Sequence, residues 1–427
     1  MTSTLRITRR AADRLRAGHL WVYRSDIEQP DETLAPGALV TIVDSRRIPL
    51  GTALYSTTSQ IAARLISRTP ALTREQYLVD LKNRIQSALA LRRELAPISE
   101  KDNAHRLIFA EADDLPGIIA DRYNDLILLQ LLTQGTAQDD VRKIIVEALR
   151  SQLAHNNESL TLWERPDPRI RELEQLPAPA PGPLFTNAPS PDSAPSTTTF
   201  TLNGLRFHYD ASAGQKTGAF LDQRLNYEAA ARHVVSSGRT HIALDVCTYQ
   251  GGFALHLARV CSQVTGIDQS RSALEAADRN LTLNPSIHAT VNWIEADAFT
   301  LLRALDDATR DAASIETLPL EPGPFDAIVL DPPAFAKSKR SAEGALRGYK
   351  ELNLRAIRLL TPGGTLVTCS CSHHVSLADF TEIVAAAAAD AGRRVQLLES
   401  RAAAPDHPEV LTLPETRYLK CLICRVD

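Results

Sequence analysis

The second half of this chain, from Phe200 onwards, alternates short apolar runs with amphipathic segments. Apolar residues that recur every three to four positions predict helices, and the short β-branched runs between them predict strands. Such alternation is typical of a doubly wound α/β domain, in which helices cover both faces of a parallel sheet. We predict seven strands, at residues 242–246, 263–267, 290–294, 327–330, 365–371, 395–399 and 418–424.

The first 175 residues follow different patterns. Segments 38–43, 48–55 and 61–66 are rich in β-forming residues and are separated by turn residues, which predicts a small β-barrel-like module over residues 1–70. From Arg74 the apolar residues take the helical period, and strand-like and helix-like segments then mix. We therefore predict a central α+β domain over residues 74–175.

Two segments interrupt these patterns. Residues 176–199 contain seven prolines and few large apolar side chains, so we predict a linker or loop. Residues 306–324 are acidic and contain proline, and we interpret them as a surface insertion in the α/β domain, which spans residues 200–427. The total length of 427 residues agrees with about three domains.

Composition excludes several classes of protein. With 44% hydrophobic and 23% charged residues, the chain is typical of globular proteins and unlike collagen or disordered chains. It has neither an apolar run of membrane-spanning length nor an N-terminal signal-peptide pattern, so we expect a cytoplasmic protein without a membrane partner. Six cysteines without a regular framework predict neither a disulfide scaffold nor a metal site, and we interpret Cys421 and Cys424 as strand-packing residues.

Basic residues are concentrated at the N-terminus, although the net charge of the chain is −4. Trp21 and Tyr23 lie in the same stretch, which contains one acid, Asp13. Guanidinium groups bind phosphates and aromatic rings stack on bases, so the stretch is compatible with RNA binding, as it is with an ordinary basic helix surface. Its six arginines are Arg6, Arg9, Arg10, Arg14, Arg16 and Arg24.

Acidic residues follow or end the first four predicted strands of the α/β domain. Ligands of such sheets bind outside the carboxyl ends of the strands, so the acids are expected to converge on a ligand site. A single strand-end Asp could equally cap a helix. The glycine spacing differs from the G-x-G-x-x-G of dinucleotide-binding folds, which argues against a dehydrogenase. In chain order these residues are Asp245 with the later Gly251 and Gly252, then Asp268, Asp297 and Asp331.

Several strings carry a specific resemblance. In chain order KTGAFLDQR, YQGGFALHLA, LDPPAFAKSK, RGYKELN and VTCSCS resemble class I S-adenosylmethionine-dependent methyltransferases, and more narrowly the bacterial 23S ribosomal RNA 5-methylcytidine methyltransferases with an N-terminal PUA domain. GHLWVYRSDI resembles the start of that PUA module, and RLIFAEADDLPGIIADRY resembles the family's central domain. The resemblance covers nearly the whole chain except residues 176–199 and 306–324. It implies a seven-stranded Rossmann-like methyltransferase domain, a PUA-like RNA-binding domain and S-adenosylmethionine as cofactor.

The resemblance also implies roles for individual residues. Asp268 would hold the ribose of the cofactor, and Asp297 would accept a hydrogen bond from the adenine amino group. The methionine end would lie against Asp245, Tyr249, Gly251 and Gly252. The segment that carries Lys216, Phe220, Gln223 and Arg224 would pack over the cofactor and help to close the site.

The atom that receives the methyl group depends on a cysteine. Asp331-Pro332-Pro333 is shared with amino-group methyltransferases and by itself cannot decide the acceptor. Carbon 5 of cytosine is a poor nucleophile, so its methylation needs a thiolate that adds to carbon 6. Cys369 and Cys371 share one face of the fifth predicted strand. The family's Ser-Cys-Ser pattern falls on Ser370, Cys371 and Ser372, which implies that Cys371 is the nucleophile and that Asp331 holds the base.

The sequence therefore favours a cytosine-C5 methyltransferase that acts on large-subunit ribosomal RNA. Two alternatives stay open at this stage. One is an RNA or protein amino-group methyltransferase, for which Asp331 would suffice and Cys371 would be dispensable. The other is a non-catalytic RNA-binding factor that keeps the cofactor fold. We expect an RNA partner and no DNA partner, and a homodimer is compatible with the sequence.

Overall fold

The computed structural model describes residues 3–29, 34–153, 159–189, 193–211, 219–309, 318–335 and 342–427. The chain divides into two compact units. The first unit comprises Met1–Phe200, Tyr209–Gly218 and Pro405–Thr416, and the second comprises Thr201–His208, Ala219–Ala404 and Arg417–Asp427. None of the described helices is both long and apolar enough to cross a bilayer.

The N-terminal part of the first unit is a β module, as the sequence predicts. Six described strands form one sheet in the order β2-β6-β5-β4-β1-β3, and helix α1 packs its apolar side into the same core as Leu5 and Val40. The elements are β1 (Ser3–Ile7), α1 (Arg9–Arg16), β2 (Trp21–Tyr23), β3 (Ile27–Gln29), β4 (Leu39–Val43), β5 (Pro49–Tyr55) and β6 (Ile61–Ser67). The three strands predicted from the sequence are β4, β5 and β6, with bounds that agree to about one residue.

The N-terminal arginines mostly bind acids of their own unit. Arg6 pairs with Glu28 at 3.0 Å and Arg14 with Asp26 at 2.6 Å. Arg16 bonds to Asp44, and the indole nitrogen of Trp21 donates to Glu111 at 2.8 Å. Much of the predicted basic stripe is therefore neutralised within the fold. Arg9 and Arg10 on α1 are exposed, and Arg9 makes only a surface ion pair with Asp13, at 3.8 Å.

The central part of the first unit has the predicted α+β alternation. Five described strands form a sheet in the order β11-β10-β9-β8-β7, and the long helix α2 begins at a capping box formed by Thr73 and Gln76. The apolar positions Leu81, Ile85 and Leu89 of that helix are buried, as its period predicts. The elements are α2 (Arg74–Leu95), β7 (Ala104–Phe109), β8 (Ile118–Tyr123), β9 (Leu126–Leu131), α3 (Asp139–Leu153), β10 (Thr161–Glu164), α4 (Pro168–Glu174) and β11 (Phe185–Thr186).

Part of the proline-rich segment forms a strand. Strand β11 lies within residues 176–199 and pairs antiparallel with β10, with Phe185 opposite Leu162. Leu184 donates its backbone N–H to the carbonyl of Leu162 at 2.8 Å. Prolines are tolerated beside an edge strand because one side of that strand needs no ladder hydrogen bonds. The short apolar pair Leu184-Phe185 thus attaches the segment to the sheet.

The second unit is built on the predicted sheet. A two-stranded sheet of β12 (Thr197–Leu202) and β13 (Leu205–Asp210) precedes it and has residues in both units. Seven described strands then form one sheet in the order β16-β15-β14-β17-β18-β20-β19, in which β20 alone runs antiparallel to its neighbours. The elements are α5 (Arg224–Ser237), β14 (Ile242–Val246), α6 (Gly252–Leu257), β15 (Gln263–Asp268), α7 (Arg271–Thr282), β16 (Thr290–Glu295), α8 (Ala298–Ala308), β17 (Phe325–Leu330), α9 (Ala342–Leu359), β18 (Leu360–Ser370), α10 (Leu377–Ala391), β19 (Val395–Arg401) and β20 (Lys420–Val426).

This strand order locates a ligand site. The chain proceeds from β14 outwards through β15 to β16, and then returns to the other side of β14 with β17. The carboxyl ends of β14 and β17 therefore flank the point where the order reverses, which is where doubly wound sheets bind ligands. The predicted Rossmann-like fold is confirmed, and all seven predicted strands are present in it.

The expected insertion begins later than the sequence predicts. Helix α8 continues to Ala308, and Asp306 in its last turn is only 1% exposed. Asp306 accepts hydrogen bonds from Arg355 and Arg358, and the helix is anchored by the buried Leu302 and Leu305. The apolar period of α8 thus carries the acidic stretch into the fold, while residues 310–317 lie outside the described residues.

Replacing Asp306 by alanine is expected to lower the free energy of unfolding by about 3 kcal/mol, because it leaves two arginines without their shared buried partner. Asp307→Ala is the matched control, since the neighbouring carboxylate is 58% exposed and should contribute less than about 0.5 kcal/mol. Urea unfolding followed by circular dichroism compares the two variants. Equal effects would contradict the assigned burial.

Candidate functional site

The structure places the four predicted acids along one edge of the sheet. Asp245 lies near the end of β14, and Asp268 is the last residue of β15. Asp297 follows β16 as the N-cap of α8, and Asp331 directly follows β17. Because these strands are parallel neighbours, their carboxyl ends lie at the same edge. Cys371 follows β18, the next parallel strand, at that edge.

The loop after β14 has an unusual backbone. Cys247, Tyr249 and Gly251 all have positive φ angles, of 64°, 51° and 83°. Residues other than glycine rarely adopt this conformation, so the surrounding structure must impose it. The N–H of Thr248 donates to the carbonyl of Ile267 at 2.9 Å, and the N–H of Tyr249 donates to Asp268 at 2.9 Å. The loop is therefore held against β15 by hydrogen bonds.

The two glycines of this loop serve different purposes. Gly251 takes the left-handed conformation that precedes α6. At Gly252, an added Cβ would lie 2.5 Å from the ring of Tyr227. Gly252 thus lets α6 pack closely on α5.

Asp245 is a buried carboxylate that is only partly satisfied. Its Oδ2 accepts from the hydroxyl of Thr248 at 2.6 Å and from the N–H of Ala254 at 2.8 Å. Its Oδ1 is also buried and has no hydrogen-bond partner among the described residues. Burial raises the pKa of Asp245 to about 7, although those two hydrogen bonds oppose the shift. A ligand that brings a cationic donor to Oδ1 would satisfy this group.

Asp268 and Asp297 already have partners in the chain. Asp268 accepts the N–H groups of Tyr249 and Ser270, at 2.9 and 2.8 Å, one on each oxygen. Asp297 caps α8 by accepting the N–H and hydroxyl of Thr300, each at 2.8 Å, and the N–H of Thr300 lowers the pKa of its carboxyl. Gln269 donates to the same carboxyl. Each carboxyl oxygen has a second lone pair, so both roles predicted for the cofactor stay geometrically available.

The segment predicted to cover the cofactor contacts the loop after β14 and the Asp331 carboxyl after β17. The ring of Phe220 packs edge-to-face on Tyr249, with centroids 5.0 Å apart. Gln223 is buried and donates its side-chain amide to Asp331 at 3.0 Å. Arg224 begins α5 with its side chain buried. Lys216, the remaining residue of that prediction, lies outside the described residues.

The two candidate nucleophiles differ in accessibility. Cys369 is fully buried, and burial together with a hydrogen bond to Cys421 raises its pKa well above the usual value of a thiol. Cys371 is half-buried, and its thiol lies 3.9 Å from the carbonyl oxygen of Pro332. The structure thus brings Cys371 against the Asp-Pro-Pro segment and keeps Cys369 inside the sheet.

Sequence reasoning missed several residues that shape this edge. The ring of Trp293 fills the space over Gly266, where an added Cβ would lie 2.5 Å from it. A glycine inside a strand pattern was the available signal. Tyr349 and Ser372 share a hydrogen bond at 2.9 Å, and the buried Lys420 donates to the carbonyl of Ser372 at 2.7 Å. A lysine among the apolar residues of the last strand was the second signal.

Comparison with known proteins agrees with this geometry. A family model described as S-adenosylmethionine-dependent methyltransferase matches residues 192–425, more than half of the chain. The chain belongs to the S-adenosylmethionine-dependent methyltransferase family. A second model, described as a PUA-like domain, matches residues 5–68 of this methyltransferase. The cofactor expected from the sequence is therefore confirmed.

Relatives match the methyltransferase over nearly its whole length. Proteins named ribosomal RNA large subunit methyltransferase I from Klebsiella pneumoniae (strain 342) and Cronobacter sakazakii are 35% identical over 413 residues and 36% identical over 409 residues. These alignments cover 96% of this chain and 94% and 95% of the relatives.

Solved structures share the fold. A methyltransferase complexed with SAH has a TM-score of 0.77 at 20% identity. A SAM-dependent methyltransferase from Streptococcus mutans has a TM-score of 0.76 at 19% identity. Both cover 100% of this chain and are covered in full themselves.

The residues present fit the cofactor of this family. S-adenosylmethionine carries an ammonium group, and the buried Oδ1 of Asp245 is a carboxylate oxygen that needs a donor. We propose that the methionine end of the cofactor lies against Asp245, Tyr249, Gly251 and Gly252. Asp268 is proposed to hold the ribose and Asp297 the adenine. Phe220, Gln223 and Arg224 would cover the site.

Cofactor binding should strengthen as pH rises through 7. Since burial raises the pKa of Asp245 to about 7, its carboxyl group is mostly protonated and neutral at pH 6 and mostly ionised at pH 8. Only the charged form attracts the ammonium group, so S-adenosylhomocysteine should bind about tenfold more tightly at pH 8 than at pH 6. Calorimetric titration at both pH values measures this ratio.

The variant Asp245→Asn should bind more weakly and lose this pH dependence. Asp278→Asn is the control, because Asp278 is an exposed acid on α7 and its replacement should leave the ratio unchanged. A wild-type affinity that is equal at pH 6 and pH 8 would show that Asp245 does not face the ammonium group.

Proposed function

We propose that this methyltransferase methylates carbon 5 of a cytosine in 23S ribosomal RNA, through a covalent bond between Cys371 and the base. One observation carries the proposal: a half-buried cysteine lies against the Asp-Pro-Pro segment at the cofactor edge of the sheet. The names of the full-length relatives supply the substrate class, since they are methyltransferases of the ribosomal large subunit. Such a substrate would be met in the cytoplasm.

The chemistry of cytosine explains why a cysteine is needed. Carbon 5 gains nucleophilic character only after a thiolate adds to carbon 6 of the ring. In the proposed reaction the Cys371 sulfur forms a bond with carbon 6, and the electron pair displaced from the ring double bond makes carbon 5 nucleophilic. S-adenosylmethionine supplies an electrophilic methyl group. Loss of the proton from carbon 5 then restores the ring double bond and releases Cys371 as thiolate.

Asp331 is proposed to hold the base during this addition. A carboxyl group can accept from the exocyclic amino group of cytosine and favour protonation of the ring nitrogen beside it. The side-chain amide of Gln223 donates to Oδ1 of Asp331 at 3.0 Å, and the side-chain amide of Asn226 in turn donates to Oε1 of Gln223 at 2.6 Å. This buried chain of amides fixes the orientation of the Asp331 carboxyl group, so the base would meet a carboxyl in a defined position.

The difference between the two cysteines also separates this proposal from the amino-group alternative. Amino-group transfer would use Asp331 and would leave Cys371 without a role. Free cysteines usually lie buried, as Cys369 does. A partly exposed thiol beside the Asp-Pro-Pro segment is the arrangement that carbon 5 chemistry requires, and it supports the covalent mechanism.

RNA that contains 5-fluorocytidine tests the covalent step. Fluorine at carbon 5 prevents the loss of a proton from that carbon, so the protein should accumulate a denaturation-resistant adduct in the presence of S-adenosylmethionine. Cys371→Ala should form no adduct and lose methyl transfer by orders of magnitude, while keeping its affinity for S-adenosylhomocysteine. Gel mobility and mass mapping of the cross-linked peptide measure the outcome.

Cys369→Ala is the matched control for that experiment, because it removes a thiol two residues away and should still form the adduct. An adduct mapped to Cys369 would move the nucleophile to that residue. Methyl transfer that persists without either cysteine would replace carbon 5 chemistry with the amino-group reaction.

We propose that the N-terminal module, residues 1–70, captures the RNA. In the proposed domain organisation it is followed by the α+β domain, residues 74–175, and by the methyltransferase domain, residues 200–427. The PUA-like match at residues 5–68 supports this assignment. Arg9 and Arg10 are both exposed on α1, and the one ion pair of Arg9, with Asp13 at 3.8 Å, lies on the surface, where water screens it, whereas Arg6, Arg14 and Arg16 pair with acids at shorter distances. Arg9 and Arg10 are our candidates for contacts with phosphates.

Replacing Arg9 and Arg10 together by alanine should weaken binding to a 23S ribosomal RNA fragment. Each phosphate contact contributes about one unit to the slope of log affinity against log salt, so the slope should fall by about two. Filter binding at several salt concentrations measures it. Lys82→Ala, an exposed lysine on α2, is the control and should leave the slope unchanged. An unchanged slope in the double variant would move the phosphate contacts elsewhere, such as Lys337, Lys339 and Arg340, which lie outside the described residues.

A further inference from the structure

A buried lysine lies beside the proposed nucleophile. Lys420 is the first residue of β20, where it is the register partner of Ser370 in β18. Its side chain is only 5% exposed. Burial of an ammonium group is costly unless hydrogen bonds and opposite charges compensate it. The hydrogen-bond partners and charged neighbours of Lys420 therefore indicate which group its positive charge stabilises.

The ammonium group holds the turn that carries Cys371. Its Nζ donates to the carbonyl of Ser372 at 2.7 Å and to the carbonyl of Tyr418 at 2.8 Å. The hydroxyl of Ser372 is held by Tyr349 at 2.9 Å. The residue that follows Cys371 is thus bound through both its backbone and its side chain, which restricts the position of the thiol.

A neutral donor could bind those two carbonyl groups at a smaller desolvation cost, so the positive charge needs a further reason. The groups whose charges act on Lys420 are Cys371, at the end of β18, and Asp379, in the first turn of α10. Burial lowers the pKa of Lys420 to about 8, and a negative charge on either group opposes that shift. At neutral pH the ammonium is therefore still mostly protonated.

Asp379 is already bound by other groups, so we expect Cys371 to be the group that the positive charge of Lys420 stabilises most. The carboxyl of Asp379 accepts the hydroxyl and the N–H of Ser376, at 2.7 and 3.0 Å, as part of the capping box of α10. Asp379 is exposed, so solvent screens its interaction with Lys420. Cys371 is half-buried, and a thiolate there would interact with the ammonium through a poorly screened environment.

We propose that Lys420 is a positioning residue for Cys371: it binds the Ser372 carbonyl to fix the turn, and its buried ammonium stabilises the Cys371 thiolate that attacks the base. The proposal rests on the cysteine mechanism put forward above. In the proposed reaction the sulfur is anionic before attack and again after release, and it is neutral while bonded to carbon 6. A fixed positive charge therefore favours both a ready nucleophile and its release.

Alkylation of Cys371 in the full-length protein tests this role without using methyl transfer. The rate of reaction with iodoacetamide follows the thiolate fraction, so its pH midpoint, read by peptide mass spectrometry, reports the ionisation of Cys371. Lys420→Met removes charge and donor, and Lys420→Gln removes the charge but keeps a donor for the Ser372 carbonyl. Both should raise the midpoint by about one pH unit. Lys420→Arg keeps the charge and should restore most of the wild-type value.

Lys350→Met is the matched control, because Lys350 pairs with the exposed Asp390 of α10 at 2.8 Å and has no proposed role in the reaction. Its alkylation midpoint should match the wild type. Affinity for S-adenosylhomocysteine shows whether each variant is folded. Should Lys420→Met not fold, Lys420→Gln decides. An unchanged midpoint in a folded, uncharged variant would overturn the proposal.

The same variants separate this inference from the cysteine mechanism. If 5-fluorocytidine RNA forms no adduct with Cys371, the mechanism fails, whereas a raised alkylation midpoint would still show that Lys420 acts on this thiol. If both hold, Lys420→Gln should lower kcat for methyl transfer by at least about tenfold with little change in the KM for RNA, because the loss falls on a reacting group rather than on binding.

Discussion

The hydrogen bonds that two carboxylates make to the loop after β14 organise the site. Asp268 accepts the N–H of Tyr249, and Asp245 accepts the hydroxyl of Thr248 and the N–H of Ala254. These bonds hold the loop in a backbone conformation with positive φ angles that it would not adopt alone. Because Asp245 and Asp268 belong to adjacent parallel strands, the proposed cofactor edge depends on the pairing of β14 with β15.

A second set of contacts lies at the ends of β17 and β18, on the side of the site that we propose binds the base. Gln223 connects the segment before α5 to Asp331, and Lys420 connects β20 to the turn that carries Cys371. The antiparallel strand β20 is therefore more than a sheet extension, because it brings a buried positive charge to the edge where parallel strands bring acids. The proposed cofactor side and the proposed acceptor side are thus held by separate elements of one sheet.

Much of this arrangement could be predicted from local patterns. The period of apolar residues located all seven strands of the large sheet and helix α2, because those patterns reflect which faces are buried. The acids were predicted at the correct edge, since parallel strands fix where their ends meet. Composition was a poorer guide. The proline-rich segment contains an edge strand, and Asp306 lies inside a helix. Three of the six N-terminal arginines pair with acids that are distant in the sequence. Side-chain partners of that kind depend on the fold.

The sequence alone determined the α/β class, the order of the strands' polar ends and the presence of two cysteines with a two-residue spacing, because these depend on local periodicity. The tertiary structure decided which groups are buried and what they meet. Cys369 faces Cys421 on the neighbouring strand and is inaccessible, whereas Cys371 lies past the end of β18 against Pro332. The pairing of β18 with β20, two strands separated by α10 and β19 in the chain, buries Cys369 against Cys421 and places Lys420 beside the Cys371 thiol.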